Sequence, residues 1–148
     1  MSRKKAREIV LCLVFEKEYH KDAGCDKLYQ DLIELSENNE DFQDLKDSLS
    51  TEDKKYIRDT FFGVFENLTQ IDDIISGSII GWKHSRISKI SMALLRIAVY
   101  EIINGGDEVS PSIAINEAVE LSKIYDDSKA YGFVNGVLGS VAKNFRSA

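Results

Sequence analysis

The chain is poor in the residues that build metal sites and disulfide frameworks. Its 148 residues include two cysteines and two histidines. Cys12 and Cys25 lie thirteen positions apart, and neither histidine completes a zinc-binding spacing with them. We therefore predict no metal and no cofactor. Because Cys12 falls in an apolar helical segment, we expect it to be a small core residue.

Long hydrophobic runs are also missing. The apolar runs are short, as at residues 9–15, whereas a membrane-spanning helix needs about 20 apolar residues. The basic N-terminus is not followed by the uninterrupted apolar segment of a signal peptide, since the sequence Glu16-Lys17-Glu18 interrupts it. The sequence predicts no membrane span, no secretion signal and a cytoplasmic protein.

The sequence lacks the motifs of the common enzyme classes. It contains no His-containing triad order, no Walker motif and no GxGxxG loop. Gly24, Gly63 and Gly77 are isolated, and Gly105-Gly106 is placed to end a helix. We therefore expect that the protein is not an enzyme.

Proline is nearly absent, which leaves long stretches free to be helical. Pro111 is the single proline, and strand-like alternation of apolar residues is almost missing. Apolar residues spaced three and four apart predict an all-α fold of seven helices, beginning near residues 2, 26, 51, 67 or 69, 86, 111 and 130. Ser50, Ser85 and the Ser110-Pro111 pair are the predicted starting signals of the third, fifth and sixth helices.

The charge is unevenly distributed. A net charge of −6 argues against a nucleic-acid partner, but Arg3, Lys4, Lys5 and Arg7 all precede the first acid, Glu8. Residues 82–96 carry four bases and no acid. Cations are disfavoured at a helix N-terminus, so the first cluster indicates either an external anion or a frayed, solvated terminus.

Small and polar residues interrupt the apolar last helix. Gly132 and Gly136 lie on one face, where each costs roughly 1 kcal/mol relative to alanine. We expect them to let a neighbouring helix approach closely; a surface kept bare for a ligand is the alternative. Asn135 is predicted to join a buried hydrogen-bond network, and Arg96 and Glu101 are predicted to be buried and paired.

Three ordered blocks of sequence carry a family resemblance. They are LLRIAVYE at residues 94–101, AINEAVEL at 114–121 and FVNGVL at 133–138, and in this order they resemble the NusB family. The resemblance implies one NusB-like domain over residues 1–148, with seven helices in two perpendicular sub-bundles of about 1–68 and 69–148. It also implies an RNA-binding transcription antitermination factor.

The resemblance further implies partners and their contact residues. The partners are boxA RNA, the small-subunit ribosomal protein NusE and the RNA polymerase antitermination complex on ribosomal RNA operons; family members can also form homodimers. The implied RNA-binding residues are Arg3, Lys4, Lys5, Arg7, Ser128, Lys129, Tyr131 and Phe133. The implied partner-binding residues are Phe15 and Ser91.

This sequence departs from the family pattern before Phe133. The family often has Ser-x-Lys or Ser-x-Arg there, where this chain has Ala130-Tyr131-Gly132. We expect Ser128 and Lys129 to substitute, or Tyr131 to add stacking. Two other functions remain open: a helical protein-interaction module, and an accessory domain like that of some RNA cytosine methyltransferases. The chain length favours the stand-alone protein over the latter.

Overall fold

A computed structural model describes residues 2–38, 50–79, 87–105 and 110–147. Within these ranges the chain forms seven helices and no strand, which confirms the predicted all-α class. The helices are α1 (Ser2–Tyr19), α2 (Cys25–Asn38), α3 (Thr51–Glu66), α4 (Leu68–Ser78), α5 (Lys89–Asn104), α6 (Pro111–Tyr125) and α7 (Ala130–Ser147). No helix in the described ranges is long and apolar enough to cross a membrane.

The chain divides into two compact units, Met1–Phe65 and Glu66–Ala148. The first unit buries one stripe of α1 and one of α3, with Val10, Val14, Phe61 and Val64 fully enclosed. In the second unit α5, α6 and α7 pack on one another, and α4 packs on α5 and α7. Its fully enclosed side chains include Ile71, Leu94, Leu95, Val99, Val134 and Leu138. Each unit therefore has a hydrophobic core of its own.

Serine caps set the starts of three helices. Ser50 Oγ accepts a hydrogen bond from the Asp53 N–H at 3.0 Å, and Ser110 Oγ accepts one from the Ile113 N–H at 3.3 Å, so both predicted caps are confirmed. The fifth helix differs from its prediction. Residues 80–86 lie outside the described residues, and Ser88, not Ser85, caps α5 by accepting from the Ser91 N–H at 2.9 Å.

Asp126 ties the end of α6 to the start of α5. Its Oδ2 accepts hydrogen bonds from the hydroxyls of Ser88 and Ser91, both at 2.6 Å, and its Oδ1 accepts from the Asp127 N–H at 2.8 Å. Burial by itself raises the pKa of Asp126, but these three hydrogen bonds outweigh it and lower the pKa below the usual aspartate value. The carboxylate is therefore held ionised at the N-terminus of α5.

Arg96 is buried and paired, as predicted. Its Nε lies 3.0 Å from Asp72 Oδ1 and its Nη2 lies 3.1 Å from Asp72 Oδ2, which is the two-pronged geometry that guanidinium and carboxylate favour. Glu101, also predicted to be buried, is 5% exposed. The Arg96 charge therefore joins α5 to α4 inside the second unit. The run of bases at residues 82–96 had suggested a basic surface, but Arg96 is not part of one.

Three expectations about α1 and α7 are wrong. Cys12 is exposed, and so is Asn135. A Cβ built on Gly132 meets nothing within 4 Å, so no helix in the described residues packs closely there. The reason is the helical period: Asn135 and Gly132 project away from the side of α7 that buries Val134.

Replacing Asp126 by Asn should lower the free energy of unfolding at neutral pH by about 1 kcal/mol, because an ionised acceptor is lost. A folded-state pKa below the unfolded value stabilises the protein above the unfolded pKa, and this contribution disappears as the pH falls through the folded pKa. The difference between the two proteins should therefore begin to shrink below about pH 3.9, the unfolded-state pKa, and vanish once the pH is below the folded-state pKa. Urea unfolding across pH measures it, with Asp73→Asn on the exposed side of α4 as the control; a difference that does not change with pH contradicts the assignment.

Candidate nucleic-acid interface

The four N-terminal cations fall into two pairs. Lys4 and Lys5 are exposed, whereas Arg3 is half-buried and Arg7 is only 6% exposed. Helical spacing explains the division, because residues 3 and 7 continue the stripe that buries Val10. The helix is formed from Ser2 onward, so a frayed terminus does not describe this cluster.

Both arginines lie against one aromatic ring of α3. The guanidinium carbon of Arg3 is 4.3 Å from the ring centroid of Tyr56, and that of Arg7 is 5.5 Å from it. These distances fit cation–π contacts. Arg3 Nε also donates to Asp53 Oδ1 at 3.1 Å, and Asp53 is 3% exposed. The cations at the start of α1 indicated an anionic partner, and the buried carboxylate of Asp53 is one such partner inside the protein.

We name Arg3, Lys4, Lys5, Arg7 and Tyr56 the N-terminal basic patch. All five residues belong to the first unit. The patch combines two exposed ammonium groups with two guanidinium groups held over a ring. Tyr56 and Asp53 were not among the site residues predicted from the sequence. Both follow the Ser50 cap, but nothing in the local sequence shows that they lie against α1.

A second group of predicted residues lies where α6 passes into α7. Ser128, Lys129 and Tyr131 are exposed, with 43% of Tyr131 accessible, and Phe133 is half-buried. The turn is ordered by Asp127, whose Oδ1 accepts from the Lys129 N–H at 2.9 Å and whose carbonyl accepts from the Ala130 N–H at 2.9 Å. The structure therefore places all four residues around one turn of the second unit.

Lys123 supplies a cation next to Tyr131 that the sequence prediction missed. Its Nζ lies 5.3 Å from the Tyr131 ring centroid. It also lies 3.4 Å from Glu120 Oε1, in an exposed pair that contributes little to stability. The residue precedes Tyr131 by eight positions on a different helix, so only the packing of α6 on α7 brings them together. We name Lys123, Ser128, Lys129, Tyr131 and Phe133 the C-terminal aromatic patch.

The two predicted partner-binding residues occupy different environments. Phe15 is half-buried, and its ring packs edge-to-face on Tyr19 with centroids 5.1 Å apart. Tyr19 is 58% exposed, so the pair presents aromatic surface on α1. Ser91 is 2% exposed and its hydroxyl is donated to Asp126. Ser91 is therefore part of the interior of the second unit in this structure.

The described residues offer little for metal or nucleophilic chemistry. Within the described ranges no group of three or more His, Cys, Asp or Glu side chains could hold a metal ion. Although Cys12 is exposed, the protein around its thiol partly excludes water and raises the pKa, and the carboxylates of Glu8 and Glu16, one helical turn to either side, raise it further. A thiol with a raised pKa stays protonated at neutral pH and is a poor nucleophile.

Comparison with known proteins adds a family to this geometry. The model of the NusB family matches residues 4–143. A protein of Acetivibrio thermocellus named transcription antitermination protein NusB is 39% identical over 145 residues, covering 97% of this chain and 90% of its own. A protein of Clostridium perfringens with the same name is 38% identical over 146 residues, covering 99% of this chain and all of its own.

Solved structures share the fold. T. maritima NusB is 27% identical with a TM-score of 0.78, over 97% of this chain and 92% of that one. A chain in a crystal structure of the antitermination factors NusB and NusE in complex with dsRNA is 24% identical with a TM-score of 0.76, over 97% of each chain. At 24% identity, the likeness to the chain in the complex establishes the fold alone.

The split of the four cations predicts different effects on stability. Arg7→Ala should lower the free energy of unfolding by about 1–2 kcal/mol, because it removes a buried side chain and its contact with Tyr56. Lys4→Ala, one turn away and exposed, should change it by less than about 0.5 kcal/mol. Urea unfolding of the two variants measures this, and equal effects would mean that Arg7 is not packed as described.

Proposed function

Because this chain belongs to the NusB family, we propose that it is an RNA-binding transcription antitermination factor that binds boxA-type RNA together with NusE. Its relatives carry the name of antitermination protein, and a protein of the same fold is found with NusE and dsRNA. The observation that carries the proposal is the N-terminal basic patch, where four cations gather on a chain with a net charge of −6.

Each of the two patches offers a different kind of contact to RNA. Lys4 and Lys5 are exposed and bind phosphates as mobile point charges. In the C-terminal aromatic patch, Tyr131 and Phe133 offer faces on which unpaired bases stack. Lys123 lies against the Tyr131 ring, and Lys129 is two positions before Tyr131 in the sequence. Single-stranded RNA is commonly held by this combination of cations and aromatic stacking.

The proposed role is that of an adaptor without catalysis, acting in the cytoplasm where transcripts are made. Phosphate contacts give affinity, and contacts to exposed bases give sequence preference. We propose the Phe15–Tyr19 pair, of which Tyr19 is exposed, as part of the surface for NusE, because aromatic residues are enriched where proteins bind each other. We do not include Ser91 in the proposed NusE surface, because its side chain is buried.

The proposal predicts that replacing Lys4 and Lys5 with alanine weakens binding to a boxA-like RNA. Each phosphate contact on single-stranded RNA contributes about 0.7 to the slope of log affinity against log salt, so the slope should fall by about 1.4. Fluorescence anisotropy titrations over a range of salt concentrations measure both quantities. Lys27→Ala, which removes an exposed lysine of α2, is the matched control and should leave both unchanged.

The same titration tests sequence preference when a scrambled RNA is added, with and without NusE. Tighter binding of the boxA-like RNA in the presence of NusE supports the proposed function. Equal affinity for both RNAs with NusE present would reduce the protein to a general polyanion binder, and an unchanged salt slope for the double variant would remove Lys4 and Lys5 from the interface.

The C-terminal aromatic patch should contribute stacking more than charge. Tyr131→Leu should weaken RNA binding by about 1–3 kcal/mol, because a stacked base loses its aromatic platform, while the salt slope stays the same. Lys123→Ala should instead lower the slope. Phe145→Leu, an exposed aromatic change near the end of α7, is the control. If Tyr131→Leu and Phe145→Leu bind equally well, no base stacks on Tyr131.

A further inference from the structure

The Arg3 guanidinium is held from two sides by residues of α3. Its Nε donates to Asp53 Oδ1 at 3.1 Å, and its carbon lies 4.3 Å from the ring centroid of Tyr56. The side chain nevertheless keeps 42% of its surface accessible, whereas the Asp53 side chain keeps 4%. The anchor is thus inside the protein and the cation is at its surface.

Asp53 is itself fixed by the start of α3. Its Oδ2 accepts from the Ser50 hydroxyl at 2.8 Å and from the Ser50 N–H at 3.4 Å, and its own N–H donates back to Ser50 Oγ at 3.0 Å. This reciprocal arrangement is a capping box. The carboxylate that anchors Arg3 therefore has little freedom to move.

The anchored guanidinium keeps its terminal edge available. Arginine has five N–H donors in a rigid planar fork. Among the described residues, the hydrogen bond that the Arg3 side chain donates goes to Asp53, and the donor atom is Nε. The N–H groups on Nη1 and Nη2 remain for another acceptor. A phosphate, which pairs with two parallel N–H groups, matches that edge.

We infer that Asp53 and Tyr56 are positioning residues that hold Arg3 as a ready-made fork for an RNA phosphate. The inference rests on the proposed function and specifies how Arg3, one residue of the N-terminal basic patch, binds an RNA phosphate. Because the side chain is ordered by folding, less of its conformational freedom remains to be lost when RNA binds. The Asp53 charge weakens the attraction to phosphate, but it lies at Nε, away from the terminal edge.

A double-mutant cycle separates positioning from a purely structural role. Tyr56→Leu and Asp53→Asn are each made alone and combined with Arg3→Gln, and affinity for a boxA-like RNA is measured by anisotropy. Each single change should weaken binding about three- to fivefold. In the Arg3→Gln background Asp53→Asn should not weaken it further, and Tyr56→Leu should weaken it less than in the protein with Arg3, because only the contact of Tyr56 with Arg7 is then lost. In a Lys4→Ala background, the matched control, the full effect should remain.

Two further variants keep the cycle decisive. Tyr56→Phe retains the ring and should bind RNA as the unaltered protein does. If Asp53→Asn disturbs the start of α3, as judged by urea unfolding, Tyr56→Leu carries the test because it leaves the Ser50 capping box in place. Equal losses with and without Arg3, or a gain in affinity, would overturn the inference while leaving the proposed function intact. Absence of RNA binding by the unaltered protein would overturn both.

Discussion

The pairing of Arg3 with the buried Asp53 determines how the basic end of α1 is organised. A buried carboxylate is tolerated only with partners, and Asp53 has Ser50 on its own helix and Arg3 fifty positions earlier. Through this contact the first turn of α1 is attached to the first turn of α3. A cluster of cations that is unfavourable at a helix N-terminus thereby becomes an ordered feature of the first unit.

Helix positions could be predicted from the sequence because their signals are local. Apolar spacing and the Ser50 and Ser110-Pro111 starts correspond to α3 and α6 as observed. The start of α5 could not be located in this way. Ser85 and Ser88 are both acceptable caps in sequence terms, and Ser88 also donates to Asp126, thirty-eight positions later. The serine that caps α5 thus also contacts the carboxylate of Asp126, which is distant in sequence and could not be anticipated from the local pattern.

The candidate site was predictable in composition but not in geometry. The four cations were identified from sequence, and the stripe through Val10 already contains the information that Arg3 and Arg7 face inward. No local pattern places Tyr56 under them or Lys123 beside Tyr131, because these are contacts between helices. The prediction for Asn135 was wrong for the opposite reason. Most of its neighbours in sequence are apolar, but its neighbours around the helix include the exposed Tyr131, Gly132 and Gly139.

The charges of the two patches explain how an acidic protein can bind a polyanion. Screening at physiological salt has a length of about 8 Å, so a phosphate responds to the charges near it and not to the net charge. In the N-terminal basic patch the carboxylate that contacts Arg3, Asp53, is buried and hydrogen-bonded to Arg3 and Ser50, whereas Lys4 and Lys5 are exposed. In the C-terminal aromatic patch, Asp126 and Asp127 border the turn. Phosphate attraction is therefore stronger at the first patch, and the second is better suited to recognising bases by stacking.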